Sequence, residues 1–370
     1  MSCDYIALAV PGVQELSPYV PGKPTDELKR ELGVEDVIKL ASNENPLGLS
    51  PRVQEAIEGT LADLSRYPDG SGYRLKEALA TRHSIDAEQI TLGCGSNELF
   101  ELVARAYLQP GMEAVMSEYA FAVYPLVVQA AGAKAVVTPA RNWGHDLDAM
   151  AEAINERTRV VFIANPNNPT GTWISKGELK AFLKFVPEHV LVVLDEAYAE
   201  YVDQDNYPSG IKLQRKYPNL IVTRTFSKAY GLAGLRIGFG VSHPQVADVL
   251  NRVRQPFNVT SPALAAAEAA LGDQAFLESS LSLNERGREQ LNEAFDRLGL
   301  DTIPSVTNFI TFKVGSSEKT AALHNGLLKS GIIVRPLASY GMPKHLRVSI
   351  GLEAENKRFI ESLERELVFL

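Results

Sequence analysis

Cysteine is nearly absent from this chain. Cys3 and Cys94 are the only two in 370 residues, so there is no disulfide framework and the composition reads as that of a reducing compartment. Long apolar runs are missing as well. No stretch of 18 apolar residues occurs, so no segment reads as a membrane-spanning helix. Ile6–Val10 is too short for a signal segment and is closed by Pro11-Gly12. Positive charge is scarce: 37 Lys and Arg face 45 Asp and Glu, a formal net charge of -8, and no basic run offsets it. That balance argues against nucleic acid as a partner. His83, His145, His189, His243, His324 and His345 are scattered without metal-ligand spacing. Neither a Gly-x-Ser-x-Gly elbow nor a phosphate loop ending in Gly-Lys-Ser/Thr is present. These exclusions leave a soluble, cytoplasmic protein as the expectation. Its length and 45% hydrophobic content support a sizeable core and two domains.

Residues 1–40 hold Pro11, Pro18, Pro21 and Pro24 and read as an arm, with a short helix over Thr25–Leu32 ended by Gly33. Helices are predicted over Pro51–Leu64 and Tyr73–Thr81. From residue 90 short apolar runs alternate with helical stretches: Ile90–Leu92, Ala114–Met116, Ala135–Val137, Val160–Ile163, Val190–Leu194 and Leu220–Val222. Buried strands in that rhythm predict an α/β fold with a mostly parallel central sheet flanked by helices. Beyond Ser261-Pro262 come an Ala-rich helix and a long amphipathic one, Gln274–Leu298. Strands over Thr307–Phe312, Ile332–Arg335 and Leu346–Ile350 come next, with helices between and after them. This tail predicts a smaller α+β domain. The expected division is an arm at 1–40, a large domain at 41–262 and a small one at 263–370.

Several of the apolar runs stop at polar groups: Gly93–Asn97, Ser117–Tyr119, Asn165–Asn168, Asp195–Tyr198 and Thr225–Lys228. In open parallel sheets ligands bind beyond the carboxyl ends of the strands, so these groups are expected to share one cleft. Their chemistry is complementary. Lys228 just past a strand can form a Schiff base with an aldehyde cofactor, and Thr225, Ser227 and Arg236 can hold that cofactor's phosphate. Asp195 at the end of a core strand suits a protonated ring nitrogen. Tyr198 can donate to an oxygen on the same ring. Asn165–Gly171 is a rigid turn presenting amide side chains. Gly95-Ser-Asn97 can place bare N–H groups at a helix start, an anion site. Cys94, with no basic neighbour, reads as a packed thiol. Arg335 and Arg347 sit in short apolar strands, where guanidinium is the natural ligand for carboxylate or phosphate.

Taken together, Asn165–Gly171, Asp195-Glu-Ala-Tyr198, Thr225-Phe-Ser-Lys228 and Gly234-Leu-Arg236 resemble the fold-type I, class I/II pyridoxal-phosphate aminotransferases. Asn168, Asp195, Lys228 and Arg236 succeed one another at intervals of 27, 33 and 8 residues, in agreement with that family. The chain is most similar to its histidinol-phosphate branch, through Leu16–Tyr19, Leu40–Gly48 and Arg66–Asp69. The resemblance implies roles residue by residue. Lys228 would hold pyridoxal 5'-phosphate covalently and shuttle a proton, with Asp195 on the ring nitrogen. Tyr198 and Asn168 would bond the ring's 3-oxygen, and Tyr119 would stack on the ring face. Ser96, Asn97, Thr225, Ser227 and Arg236 would hold the phosphate. Tyr67 would reach the phosphate of a neighbouring subunit, which implies a homodimer with shared active sites. Tyr19, Asn168, Arg335 and Arg347 would bind substrate. The family often carries Pro-Thr-Tyr or Pro-Ser-Tyr where Ser117-Glu-Tyr119 stands here, and asparagine at Cys94.

The reaction so implied moves an amino group between L-histidinol phosphate and 2-oxoglutarate, giving imidazole-acetol phosphate and L-glutamate. An aromatic amino-acid aminotransferase stays open on the same motifs. So does a decarboxylase of a phosphorylated amino acid. A non-catalytic cofactor-binding regulator fits less well, because the catalytic residue types are all present and no basic extension is.

Overall fold

The computed structural model describes residues 3–19 and 21–370. Strands run in chain order as β1 (Ile38–Lys39), β2 (Ile90–Gly93), β3 (Glu113–Ser117), β4 (Lys134–Thr138), β5 (Ala140–Arg141), β6 (Gly144–His145) and β7 (Thr158–Ala164). They continue as β8 (Leu191–Asp195), β9 (Leu220–Thr225), β10 (Gly238–Val241), β11 (Thr302–Ile303), β12 (Phe309–Lys313), β13 (Ile332–Ile333), β14 (Arg335–Pro336) and β15 (His345–Ser349). Seven form one sheet in the order β2-β10-β9-β8-β7-β3-β4, in which only the pairings of β10 are antiparallel. Its faces divide with period two. Val161, Ile163, Val192 and Leu194 enter one core, while Val160, Phe162, Leu191 and Val193 enter the other. A sheet covered on both faces needs apolar residues at every position, which is why the strands read as continuous apolar runs. Each such side chain, once buried, stabilises the fold by about 1.5–3 kcal/mol.

A second, antiparallel sheet runs β11-β12-β15-β14. Phe295, Phe312 and Phe359 pack on one another beneath it, brought by the helix Gln274–Leu298, β12 and the helix Glu353–Leu367. The N-terminal segment is tied to this part of the molecule. β1 pairs in parallel with β13, and Leu28 of the helix Thr25–Leu32 is buried with Ala41, Leu328 and Ile333.

Two predicted elements differ from those observed, and one strand of the large sheet was not predicted. The helix begun at Pro51 stops at Glu58, and a separate 3-10 turn covers Leu61–Asp63. The single strand expected over Ile332–Arg335 is split, because its halves pair with different partners, β1 and β15. β10 is an additional strand, and its glycines are what disguise it. A Cβ on Gly238 would lie 2.7 Å from the Ser96 nitrogen and 2.8 Å from the Arg224 oxygen, so only glycine passes between them. Among the described residues no helix is long and apolar enough to cross a membrane, and no cluster of three His, Cys, Asp or Glu side chains is placed to hold a metal.

Candidate active site

The carboxyl ends of β2, β7, β8 and β9 converge on a cavity of about 160 Å3 whose opposite wall carries Arg335 and Arg347 from the second sheet. Asp195 ends β8 and is 5% exposed. Its carboxylate accepts from the Tyr124 hydroxyl at 2.7 Å, the Ala197 N–H at 3.2 Å and the Thr223 hydroxyl at 3.3 Å. Burial still outweighs these donors and pushes its pKa up to about 6. A cation against its free face would restore the balance.

Lys228 comes just after β9. Its Nζ donates to the Ser42 carbonyl at 3.0 Å and stands 5.7 Å from the centre of the Tyr198 ring. Burial first, then the Arg347 guanidinium, bring this amine down to about 7. A lysine so placed is neutral in about half of the molecules at pH 7, as a nucleophile or base must be.

One end of the cavity is built to take an anion. The helix Ser96–Tyr107 starts there, with Gly95 at φ 74° as its cap. The Arg236 guanidinium lies across that glycine, so that a Cβ on Gly95 would approach it to 2.4 Å. Arg236 donates to the Ser227 hydroxyl at 3.2 Å, and Thr225 Oγ1 lies 3.0 Å from the same oxygen. Hydroxyls, a helix N-terminus and a guanidinium together make a phosphate-sized cradle. The loop before it is tied down, since Glu98 accepts both the Cys94 N–H at 2.5 Å and the Asn258 amide at 2.6 Å. The Cys94 side chain is exposed rather than packed, because its glycine neighbours offer nothing to cover it.

The other end is cationic too. Arg347 is 5% exposed and donates to the Ala41 carbonyl at 2.8 Å and to Asn168 Oδ1. Its guanidinium carbon sits 5.1 Å from the Phe309 ring centre, and its buried Nε has no partner among the described residues. Arg335 is its register partner on β14, with the guanidinium carbon 5.5 Å from the centre of the Tyr19 ring. Tyr198 lies between the two ends, its hydroxyl accepting from Asn43 at 2.9 Å, and burial raises that hydroxyl's pKa well above its ordinary value. Three arginines and a lysine therefore surround one carboxylate, so the cavity favours anionic ligands.

Tyr19, Ser96, Asn97, Asn168, Asp195, Tyr198, Thr225, Ser227, Lys228, Arg236, Arg335 and Arg347 all line this one cavity. Two expected residues do not. Tyr119 turns away, its ring 5.2 Å from Trp143 and its carbonyl accepting from Asn167 at 2.9 Å; the aromatic that lines the cavity from this segment is Phe121. Tyr67 is 83% exposed and stacks at 4.7 Å on Phe257. Sequence reasoning missed Phe121, Tyr124, Asn43 and the Ser42 carbonyl. Phe121 lies just before the helix Val123–Ala130 that carries Tyr124, and nothing in the local pattern singles out either ring. Asn43 gives no signal either, because its role depends on a left-handed backbone at φ 55°. A larger cleft of about 1080 Å3, lined by Trp173, Phe182 and Phe185 among others, contains none of the lysine, aspartate and arginine groups described above.

The sequence matches the family model of class I and II aminotransferases over residues 35–363. It is 62% identical over 369 residues to histidinol-phosphate aminotransferase 2 of Pseudomonas fluorescens strain Pf-5, covering 99% of both chains. It is 59% identical to histidinol-phosphate aminotransferase 2 of Pseudomonas aeruginosa, covering 98% of this chain and 99% of that one. Its fold superposes on the crystal structure of histidinol-phosphate aminotransferase from Sinorhizobium meliloti in complex with pyridoxal-5'-phosphate at a TM-score of 0.89, with 31% identity and 97% of each chain covered. An aspartate aminotransferase double mutant from Thermus thermophilus superposes at 0.83, with 26% identity over 97% of this chain and 98% of that one. The converging strand ends, the near-neutral lysine and these full-length matches agree: the chain belongs to the class I and II aminotransferases.

Proposed function

We propose that this chain uses pyridoxal 5'-phosphate to transfer an amino group between L-histidinol phosphate and 2-oxoglutarate. The observation that carries the reading is Lys228, an amine brought to about 7 by burial, in a cavity shared with Asp195 and with guanidinium groups at both ends. The residues present fit the cofactor. Asp195 is a buried carboxylate held at about 6 that lacks a cation, and the Gly95–Asn97 helix start with Ser227, Thr225 and Arg236 forms an anion cradle in the same cavity. Bound there, pyridoxal phosphate supplies an aldehyde for amine exchange and a ring that withdraws electrons from the substrate's α-carbon.

The chain's own residues do the rest. Asp195 would hold the ring nitrogen protonated, and its hydrogen bond from Tyr124 fixes the direction of its oxygens. Tyr198 and Asn168 would bond the ring oxygen. Phe121 would take the ring-facing place expected of Tyr119. Lys228 Nζ would accept the α-proton of the substrate, hold it as an ammonium and give it up again on the far side of the transferred nitrogen. Arg347 binds the α-carboxylate of glutamate or the phosphate of histidinol phosphate, two anions that suit one fork of donors. Arg335 and Tyr19 close the far end. The arm, large unit and small unit at 1–40, 41–262 and 263–370 belong to this proposal, and the two separate sheets support it. A cytoplasmic location belongs to it too.

Mixing the loaded enzyme separately with L-histidinol phosphate, L-phenylalanine and L-glutamate in single-turnover absorbance tests the substrate. Loss of the bound cofactor's absorbance is expected to be fast with histidinol phosphate and at least about 100-fold slower with phenylalanine, because a phosphate dianion can take both guanidiniums, whereas the α-carboxylate of phenylalanine pairs with one and its neutral ring leaves the other unsatisfied. Faster conversion of phenylalanine assigns an aromatic aminotransferase instead. Release of CO2 without need for a 2-oxo acid assigns the lyase.

The homodimer is part of the same proposal. Tyr67 and Phe257 form an exposed stack, and Leu61 and Leu64 nearby in the chain are more than half exposed. An apolar patch of this kind suits a second copy, and from it Tyr67 can reach the partner's phosphate cradle. Sedimentation is expected to give twice the mass of one chain; a fully active monomer rules the shared site out.

A further inference from the structure

We infer that Trp143 is a positioning residue for the substrate-binding arginine, an aromatic strut across the seam between the two sheets. The inference rests on the reading of Arg347 as the group that receives the substrate's anion. It starts from a backbone anomaly. β5 and β6 are joined by the two-residue turn Asn142-Trp143, with φ 50° and 64°. A turn with both central residues left-handed is the ordinary hairpin connection, and its second position belongs to glycine. Tryptophan there holds its backbone in a conformation that costs any side chain, and bulky ones most. Such a cost persists where the side chain is needed elsewhere.

The indole offsets that cost with two contacts. On one side it lies 5.2 Å from the Tyr119 ring, and on the other 5.0 Å from His345, edge to face. Each leads to Arg347 by a short route. The Tyr119 carbonyl accepts the Asn167 amide at 2.9 Å, and the next residue, Asn168, accepts from Arg347. His345 is two residues before Arg347 on β15, so both side chains project from the same face of that strand. The hairpin itself is anchored to the large sheet. His145 Nε2 lies 2.8 Å from the Ala164 carbonyl at the end of β7, and Thr172 Oγ1 donates to the Trp143 carbonyl at 3.3 Å. Thr172 in turn accepts the Asn167 N–H at 2.8 Å through its carbonyl. One side chain therefore touches Tyr119, whose carbonyl holds the loop that carries Asn168, and His345 on the strand that carries Arg347, from a hairpin fixed to the end of β7 and to Thr172. Its ring sets the distance between them.

The test uses the turn's own preference. Trp143→Gly creates Asn-Gly, the favoured pair for this turn, so the hairpin forms and only the strut is lost. The holoenzyme is expected to show KM raised at least about tenfold for both substrates, since small misplacements of a positioning group have effects of that order, with kcat within threefold and an unchanged melting temperature. Trp143→Phe is expected to restore most of the affinity. Independently, Trp143 and Trp173 are the only tryptophans in the chain, so a Trp173→Phe holoenzyme reports on Trp143 alone. Its emission is expected to change saturably as 2-oxoglutarate is titrated. Unchanged KM in Trp143→Gly, a parallel loss of kcat and melting temperature, or flat emission at saturating ligand each overturn the inference. Absence of transamination by the unaltered holoenzyme instead sinks the aminotransferase reading, and the emission titration still decides the strut.

Discussion

Replacing Lys228 by alanine is expected to slow transamination at least about 10^4-fold, the upper range for loss of a positioned base with a nucleophilic role. Burial and the Arg347 guanidinium bring the Lys228 amine to about 7, so at neutral pH a large fraction is free to accept a proton. Lys228→Arg is expected to be nearly as inactive, because guanidinium keeps the charge and the reach but does not deprotonate. A charge-only role for Lys228 predicts the opposite, an active arginine variant. Small primary amines added to the alanine variant are expected to recover part of the rate. In the unaltered enzyme the rate is expected to fall as pH drops below about 7, where the ammonium form no longer accepts a proton, and in the amine-rescued variant that acid limb is expected to move up toward the pKa of the added amine. Single-turnover rates across pH check all of this. A rate for Lys228→Ala within tenfold of wild type removes lysine from the chemistry.

Most of this site was legible because it lies where the backbone is regular. β7, β8 and β9 are strands of five to seven residues built on short apolar runs, and each ends at or runs into a polar group: Asn165, Asp195, Thr225. Parallel strands put those ends on one edge of the sheet, so their order along the chain translates directly into a cleft. What escaped was set by side-chain direction and by exceptions to backbone rules. Tyr119 and Phe121 are separated by one residue, and no pattern in Ser117–Tyr124 says which ring turns inward; the Asn167 bond to the Tyr119 carbonyl and the ring contact with Trp143 decide it. β10 was hidden by Gly238 and Gly240, which weaken a strand on paper and are required in fact at Gly238 by the approach of Ser96 and Arg224. The small sheet was legible as strands but not as pairings. Nothing local in Ile332–Arg335 says that its first half joins a segment nearly three hundred residues away. The same limit applies to Arg335 and Arg347, whose adjacency is a matter of register.

Asp195→Asn is expected to separate what this residue does for the reaction from what it does to the fold. Asparagine keeps the size and the hydrogen-bonding outline, and the Tyr124 hydroxyl can turn to accept where it now donates. Only the charge is lost. A neutral partner no longer holds the ring nitrogen protonated, and kcat is expected to fall about 10^3-fold, the scale of removing one preorganised electrostatic contact. The cofactor-free chain is expected to respond in the other direction. There the buried carboxyl has a pKa of about 6 against an ordinary value of 3.8, so between these values the folded state binds more protons than the unfolded one, and stability falls as pH rises through that window. Above it the full penalty applies, about 3 kcal/mol at 1.36 kcal/mol per unit. Asp195→Asn lacks the penalty, so at pH 8 its cofactor-free form is expected to melt several degrees above the unaltered chain, with the gap closing toward pH 4. Adding pyridoxal phosphate is expected to reverse the order, because the cation then faces a carboxylate in one protein and an amide in the other. Thermal melts at two pH values, with and without the cofactor, give four comparisons. A variant that is less stable in all of them would show that Asp195 is held in place for the fold, by Tyr124 and Thr223, rather than for the ring it faces.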